Sequence, residues 1–549
     1  MKSKKFIVLL CFLISIVAIA IVIVVGKNKV TALPTTTQKY ELKTDTKIET
    51  VEYNLGKGIF RKNGKADLPY QKQGVLTFPK NQKNVPLVVI IHGRHNISDM
   101  ENIPEEENYY KGFTYLAQNL SRQGYAVISI DVNAEHNEKN TDDAKDYGNS
   151  ENFERLITIY KEHIKGLTKA VNGDTAIYGS NITNKINLSD VTLLGHSRGG
   201  QGIDFLATDL QKSGDDSIKG LISLTPSKNL KDAPYTDVPH GFVIAEYDLD
   251  VSNLEGQVSF DELKANKNRK SFANNVFLRG GNHYYFSRKL DLGMSQNIPT
   301  DNILKKNTID RKQHEMFITK YTTEFLDVIH NKIKPTNNFN ASKIAPASMY
   351  GMKVMSSMYV SNSKTIFSAN KKTKISTSDA KAQYVVESVN ENDNTARFFK
   401  HPIESEFNTN GPNLNLLNLK WTKKDGYATI QMNDTNFNEF STIRFSIAQD
   451  STDKINQAKD QGMTIVFEDN KGKEAKIVMD NKTPALNYLY GVEFKLSETS
   501  EWLGYTPLTD LRIPLDLIKG IDMNKIESIS FLFNQTDQGS IMLQDIVLQ

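Results

Sequence analysis

Only one residue in 549, Cys11, is a cysteine, so no intramolecular disulfide can form and the folded part must rely on packing. Metal-binding patterns are missing as well: the chain has no His-Glu-x-x-His, no cysteine pair and no EF-hand spacing. It also has no glycine-rich loop suited to phosphate. No metal and no cofactor are expected. Neither sign of charge dominates, because 67 lysines and arginines face 64 aspartates and glutamates for a net +3. The basic surplus that a nucleic-acid partner would need is therefore absent. Tryptophan is scarce, and both copies, Trp421 and Trp502, fall in the last quarter. That skew suggests a compositional boundary. The length exceeds one ordinary core, so two or three domains are expected.

What is present begins with an apolar run. Lys2, Lys4 and Lys5 precede Phe6 to Val25, twenty residues without a charge, and Gly26-Lys27-Asn28-Lys29 follow. At ~1.5 Å per residue the run matches a bilayer core of roughly 30 Å. The basic residues before it favour export of everything after it. Residues 1–26 are thus expected to be a transmembrane anchor, a single pass at the cell membrane with the body extracytoplasmic. A signal segment cleaved near Val30-Thr31-Ala32, giving a secreted protein, is the alternative. Leu10 is too large for the residue before a lipoprotein cysteine. Residues 27–50 are polar, with Pro34-Thr35-Thr36-Thr37, and read as a tether.

From about 51 to 340, apolar runs alternate with amphipathic stretches, the pattern of a mostly parallel sheet flanked by helices. Leu87-Val88-Val89-Ile90-Ile91, Ala126 to Ile130, Val191 to Leu194, Gly220 to Leu224, Gly241 to Ala245 and Val276 to Arg279 read as strands. Tyr109 to Arg122, Phe153 to Val171 and Arg311 to Lys332 read as helices. Ligands in such sheets bind beyond the carboxyl ends of the strands. One such end carries Gly195-His196-Ser197-Arg198-Gly199-Gly200, a G-x-S-x-G turn between a buried strand and a helix. A serine there is exposed on a strained turn, and its small neighbours let strand and helix approach. The helix start aims N–H groups at the place where negative charge develops. A glycine-rich turn with a capping serine is the structural alternative.

These residues, with the strand that runs into His92-Gly93-Arg94, resemble the α/β-hydrolase superfamily of serine hydrolases. The branch resembled is that of dienelactone hydrolase, platelet-activating-factor acetylhydrolase, chlorophyllase and cutinase. The resemblance implies Ser197 as nucleophile and the backbone N–H groups of Arg94 and Arg198 as the oxyanion hole. The family order then requires an acid and a histidine, in that sequence. Ala245-Glu246-Tyr247-Asp248-Leu249-Asp250-Val251 fits the family's acid turn, with alanine in place of glycine, and selects Asp248, with Asp250 as rival. Gly280-Gly281-Asn282-His283, after the last strand, supplies His283 as base; His314 is a weaker candidate. The His92 and His196 side chains read as packing residues, and His136 and His240 fit no role. The polar loop from Asn133 to Asp143 follows a strand at the active-site edge and has too little apolar character for a lipase lid.

Beyond Pro335-Thr336-Asn337-Asn338-Phe339-Asn340 the period changes to two, in runs such as Tyr427 to Met432, Thr442 to Ile447, Met463 to Phe467 and Ser528 to Phe533. Residues 341–549 are expected to form an all-β antiparallel sandwich. The last forty residues resemble a galactose-binding-like jelly roll, the fold of many carbohydrate-binding modules. That resemblance implies a glycan partner, for which Trp421, Trp502, Tyr488, Tyr490 and Tyr505 are the available aromatics. Asp545 is the candidate for a structural calcium.

The reading that results is an extracytoplasmic serine hydrolase cleaving carboxylic esters through a Ser-His-Asp triad, its substrate a small ester or a polymer-linked acyl group. The alternatives are a polysaccharide de-esterifying enzyme with a glycan-binding module, and a surface binding or adhesion protein that has lost catalysis. The same triad also cleaves amides.

Overall fold

The computed structural model describes residues 29–61, 67–95, 97, 102–136, 151–228, 234–251, 255–294, 307–378, 380–390, 399–400, 413–451, 453–496, 499–505 and 507–549. The run Phe6–Val25 and most of the loop from Asn133 to Asp143 lie outside these residues.

Strand character begins at the first described residue. β1 (Lys29–Ala32) and β2 (Thr37–Gln38) are followed by a long hairpin, β3 (Ile48–Phe60) and β4 (Leu68–Pro79). Val51, Tyr53 and Leu55 alternate along β3 and pack on the core, while the residues between them face water. Then come β5 (Val85–Ile91), β6 (Ala126–Ile130), β7 (Ile186–His196), β8 (Ile218–Leu224), β9 (His240–Tyr247), β10 (Ala273–Asn282), β11 (Ser348–Met349) and β12 (Met352–Tyr359). The helices are α1 (Thr114–Arg122), α2 (Glu154–Val171), α3 (Arg198–Lys212), α4 (Glu255–Ala265) and α5 (Arg311–Ile329).

Strands β2 to β12 form one eleven-stranded sheet in the order β2-β11-β12-β10-β9-β8-β7-β5-β6-β4-β3. The pairings from β6 across to β10 are parallel, whereas β3–β4, β4–β6, β10–β12 and β11–β12 are antiparallel. Successive residues of β5 enter different cores. Leu87, Val89 and Ile91 join one with α2 and α3, and Val88 and Ile90 join another with α1 and α5.

The expected class, a mostly parallel sheet flanked by helices followed by an all-β antiparallel jelly roll, does not hold. The described residues are β-rich, with 26 strands against five α-helices, and the large sheet is mixed. The apolar runs marked the parallel strands but not the antiparallel ones at both edges. One edge is a half-exposed hairpin. The other is built from β11 and β12, beyond residue 341, with β2 outermost.

The stretch expected as a tether up to residue 50 also carries strands. β2 pairs with β11, and β1 adds in parallel to Glu474–Met479 in the C-terminal part. Gln38 donates to the buried Glu324 of α5, which also accepts from Tyr350 at 2.6 Å. The linker is held as well: Arg512 donates to the carbonyls of Asn340 (2.8 Å) and Asn337 (3.2 Å). The C-terminal strands form two six-stranded sheets and a three-stranded one. The larger two share a core in which Trp421 stacks on Phe533 with centroids 4.3 Å apart and Phe445 meets Phe531 edge-on.

Among the described residues no helix is long and apolar enough to cross a membrane. They give the expected single N-terminal pass at the cell membrane no support, and Phe6–Val25, on which it was read, lies outside them.

Candidate active site

At the carboxyl end of β7 the chain turns through Ser197 into α3. Ser197 has φ 56° and ψ −125°, a backbone region that non-glycine residues enter only at a cost of ~1–3 kcal/mol. Its surroundings hold it there. The Ser197 N–H donates to Leu224 of β8 at 3.0 Å, and its carbonyl accepts from Gly200 at 2.8 Å. The flanking glycines are dictated by space. A Cβ on Gly195 would lie 2.2 Å from the Gly199 oxygen, and one on Gly199 would lie 2.5 Å from the Ile91 oxygen. Strand and helix meet closely only without those carbons.

The neighbouring loops converge on this turn. A Cβ on Gly93 would stand 2.6 Å from the Ser197 Cβ and 3.1 Å from its Oγ, so the chain after β5 passes directly over the hydroxyl. Arg94 is the next residue, and Arg198 is the first of α3, where main-chain N–H groups have no carbonyl within the helix to bond. The His92 side chain fixes this loop from behind. Its Nε2 accepts from the Val132 N–H at 3.0 Å, and its Nδ1 lies 2.8 Å from the Gly93 carbonyl. The Arg198 guanidinium turns away, onto the Phe153 ring and Gln201.

His196 precedes the serine, is fully buried, and donates through Nε2 to the carbonyl of His283 at 3.0 Å. The two imidazole rings lie 4.7 Å apart. Burial, with His283 beside it, holds His196 well below the usual imidazole range, which spares the pair a like-charge repulsion. His283 follows β10, whose register shifts between Leu278 and Asn282. Glu246 at the end of β9 accepts from the Gly280 N–H at 2.7 Å and pairs with Arg279 at 3.0 Å. The Asn282 side chain accepts from the N–H groups of Tyr284 and Tyr285, each at 3.0 Å.

The His283 Nδ1 lies 3.0 Å and 3.1 Å from the two carboxylate oxygens of Asp248. Asp248 also closes its own turn, accepting from Asp250 N–H (3.1 Å) and Val251 N–H (2.7 Å). The predicted rival, Asp250, reaches the other nitrogen, with Oδ2 3.2 Å from Nε2. Burial opposes charge on His283, but Asp248, Asp250 and Glu255 outweigh it and raise its pKa to about 9.

Three further histidines make structural contacts. His314 accepts through Nε2 from the Asn282 N–H at 2.9 Å and bonds the Asp310 carbonyl through Nδ1; burial lowers it to about 4. It braces the residue before His283. His136 is buried near His92, with 6.2 Å between ring centroids, and His240 bonds Ser223 at 2.9 Å. The residues that sequence reasoning did not single out are Glu246, Asn282 and the cluster joining the site to the C-terminal strands. In that cluster Tyr247, Leu249 and Tyr284 share an apolar core with Leu416, Leu489, Leu508 and Met542.

Among the described residues no group of three or more His, Cys, Asp or Glu side chains could hold a metal ion. Asp545 is engaged by Arg444 at 3.1 Å rather than grouped with other carboxylates. Of the candidate sugar-stacking aromatics, Trp421 is fully buried and Tyr488 is buried at 9% exposure. Tyr490 is 50% exposed and meets Tyr488 edge-on. The Trp502 and Tyr505 side chains lie outside what is described. A cavity of about 20 Å³ lies at the seam of Pro34, Ile344 and Arg512, away from Ser197; it has room for a water but not for a substrate.

No protein-family model matches this sequence, and no curated protein matches it.

Proposed function

We propose that this chain is a serine hydrolase that cleaves carboxylic esters by acyl transfer. What carries the reading is one constellation. A serine is held in a disfavoured conformation at a strand–helix turn, its neighbour His196 is bonded to the main chain of His283, and that imidazole sits in the fork of Asp248.

In the proposed reaction, the Ser197 Oγ attacks the ester carbonyl and its proton passes to His283 Nε2. Asp248 fixes the Nδ1–H tautomer and stabilises the imidazolium. The tetrahedral oxyanion faces the N–H groups of Arg94 and Arg198, donors that typically supply ~3–4 kcal/mol each where they have been removed. The carbon–oxygen bond to the alcohol breaks as the imidazolium returns its proton to the leaving oxygen. Water then attacks the acyl-serine by the same route, giving a carboxylic acid and free serine. Nothing in this sequence of steps calls on a metal or cofactor.

The polymer-directed alternative, an acyl-polysaccharide esterase, is supported by the exposure of Tyr490 and weakened by the burial of Trp421. The non-catalytic alternative leaves the strain at Ser197 without a purpose. Turnover of p-nitrophenyl acetate by the purified chain, lost in Ser197→Ala with the fold retained, is the expected result. Equal hydrolysis by that variant would remove the proposal.

A further inference from the structure

We propose that Asp250 competes with Ser197 for the base nitrogen of His283, so that the imidazole becomes available to the serine only when the Asp250 side chain swings aside. This rests on the serine-hydrolase reading and adds to it a positioning residue on the opposite side of the ring from Asp248.

The geometry is asymmetric. At Nδ1 both oxygens of Asp248 lie within 3.1 Å, and that carboxylate is 3% exposed. At Nε2 a single oxygen of Asp250 lies 3.2 Å away, on a side chain 54% exposed, and no aligned hydrogen bond forms. Nε2 is where the serine proton must arrive. One ring thus has an anchored carboxylate on the nitrogen that orients it and a loose one on the nitrogen that reacts.

The backbone lets the loose carboxylate move alone. The Asp250 and Val251 N–H groups are tied to Asp248 Oδ1, and Leu249 between the two acids is 3% exposed in the apolar cluster with Tyr284, Leu489 and Leu508. The turn stays fixed while rotation about the Asp250 side-chain bonds carries its carboxylate into solvent. The Asp248 fork is not disturbed by that rotation.

The other groups facing the ring do not take over the role. His196, from the end of β7, is held neutral and donates to the His283 carbonyl rather than to its ring. Glu255 of α4 contributes charge from further off and accepts from the Lys228 N–H. His95, after β5, is likewise kept neutral by burial and by its histidine neighbours. With Asp250 in place the imidazole is bracketed by two carboxylates and holds its proton. With Asp250 displaced, Nε2 is freed while one carboxylate stays at Nδ1 behind it, the arrangement a general base requires.

The test compares the full chain with Asp250→Asn and Asp250→Glu. Two readouts are followed across pH 5 to 10: kcat/KM on p-nitrophenyl acetate, and the rate of His283 acylation by diethyl pyrocarbonate, mapped by mass spectrometry. We expect Asp250→Asn to move the acidic limb of both profiles down by one pH unit or more. Activity at pH 7 should rise at least fivefold, and Asp250→Glu should keep the wild-type profile. An Asp250→Asn enzyme as inactive as Asp248→Asn would overturn the proposal, because Asp250 would then be the orienting acid. Unmoved midpoints in both readouts would overturn it as well. A chain with no esterase activity whose His283 midpoint still falls in Asp250→Asn removes the hydrolase reading and leaves the pairing intact.

Discussion

The His196 imidazole, one residue before the serine, donates its Nε2–H to the main-chain carbonyl of His283, 3.0 Å away. Two chain segments 87 residues apart, one carrying the proposed nucleophile and the other the base, are thereby fixed to each other independently of any bond between the reacting side chains. His196→Ala leaves that buried carbonyl unpaired and opens a void under the His283 ring. We expect a loss of ~2–4 kcal/mol in chemical denaturation and a fall in kcat on the order of a hundredfold, because small displacements of reacting groups are costly.

Strain at the turn predicts an opposition between stability and activity. Ser197 at φ 56° keeps its unfavourable backbone when changed to alanine but loses much of that cost when changed to glycine. Ser197→Gly is expected to be about 1 kcal/mol more stable than Ser197→Ala, with both inactive. Calorimetric comparison of the two variants checks this.

The state of His283 gives stability a pH dependence with a definite sign. Its pKa is raised in the folded chain to about 9, from ~6.5 when unfolded. Between those values the native state holds the proton more tightly. The resulting stabilisation is full below about pH 6.5 and is lost as pH rises through about 9. The stability difference between the wild type and His283→Gln should therefore be larger at pH 6 than at pH 9.5, by up to about 3 kcal/mol. Urea denaturation at the two pH values measures it.

The two large parts of the chain do not separate at residue 341. β12, beyond that point, pairs with β10, the strand that delivers His283, through register partners from Ala273 with Tyr359 to Leu278 with Val354. Residues 51–340 alone would expose the edge of β10 and the apolar surface under Tyr247, Leu249 and Tyr284. Limited proteolysis is expected to yield no stable fragment ending near 340. Leu508→Ala should cost ~2–4 kcal/mol and lower activity more than an equally destabilising change of Phe467, which sits in the other core of the C-terminal strands.

What the sequence disclosed follows from how strongly each residue's neighbourhood constrains it. The run Leu87–Ile91 is apolar at every position because both of its faces are buried, and it lies within β5. The glycines around Ser197 were legible because nothing larger fits. The hairpin β3–β4 is hard to read in the sequence because one face of β3 meets water and its apolar signal is halved to Val51, Tyr53 and Leu55. β12 falls in the C-terminal part by position because chain order hides a strand that returns across a linker. The contest between Asp248 and Asp250 was undecided in the sequence, where they differ by two positions; in three dimensions they occupy different nitrogens of one ring. The aromatics of the C-terminal part could not be sorted into core and surface, since burial of Trp421 against Phe533 depends on a partner more than a hundred residues away.

The most direct test is covalent. Incubation of the intact chain with a fluorophosphonate probe, followed by peptide mapping, is expected to place the adduct on Ser197 alone, with labelling abolished in Asp248→Asn or strongly slowed. Labelling on any other residue, or none on Ser197 under conditions where the fold is intact, would contradict the assignment of Ser197 as the nucleophile.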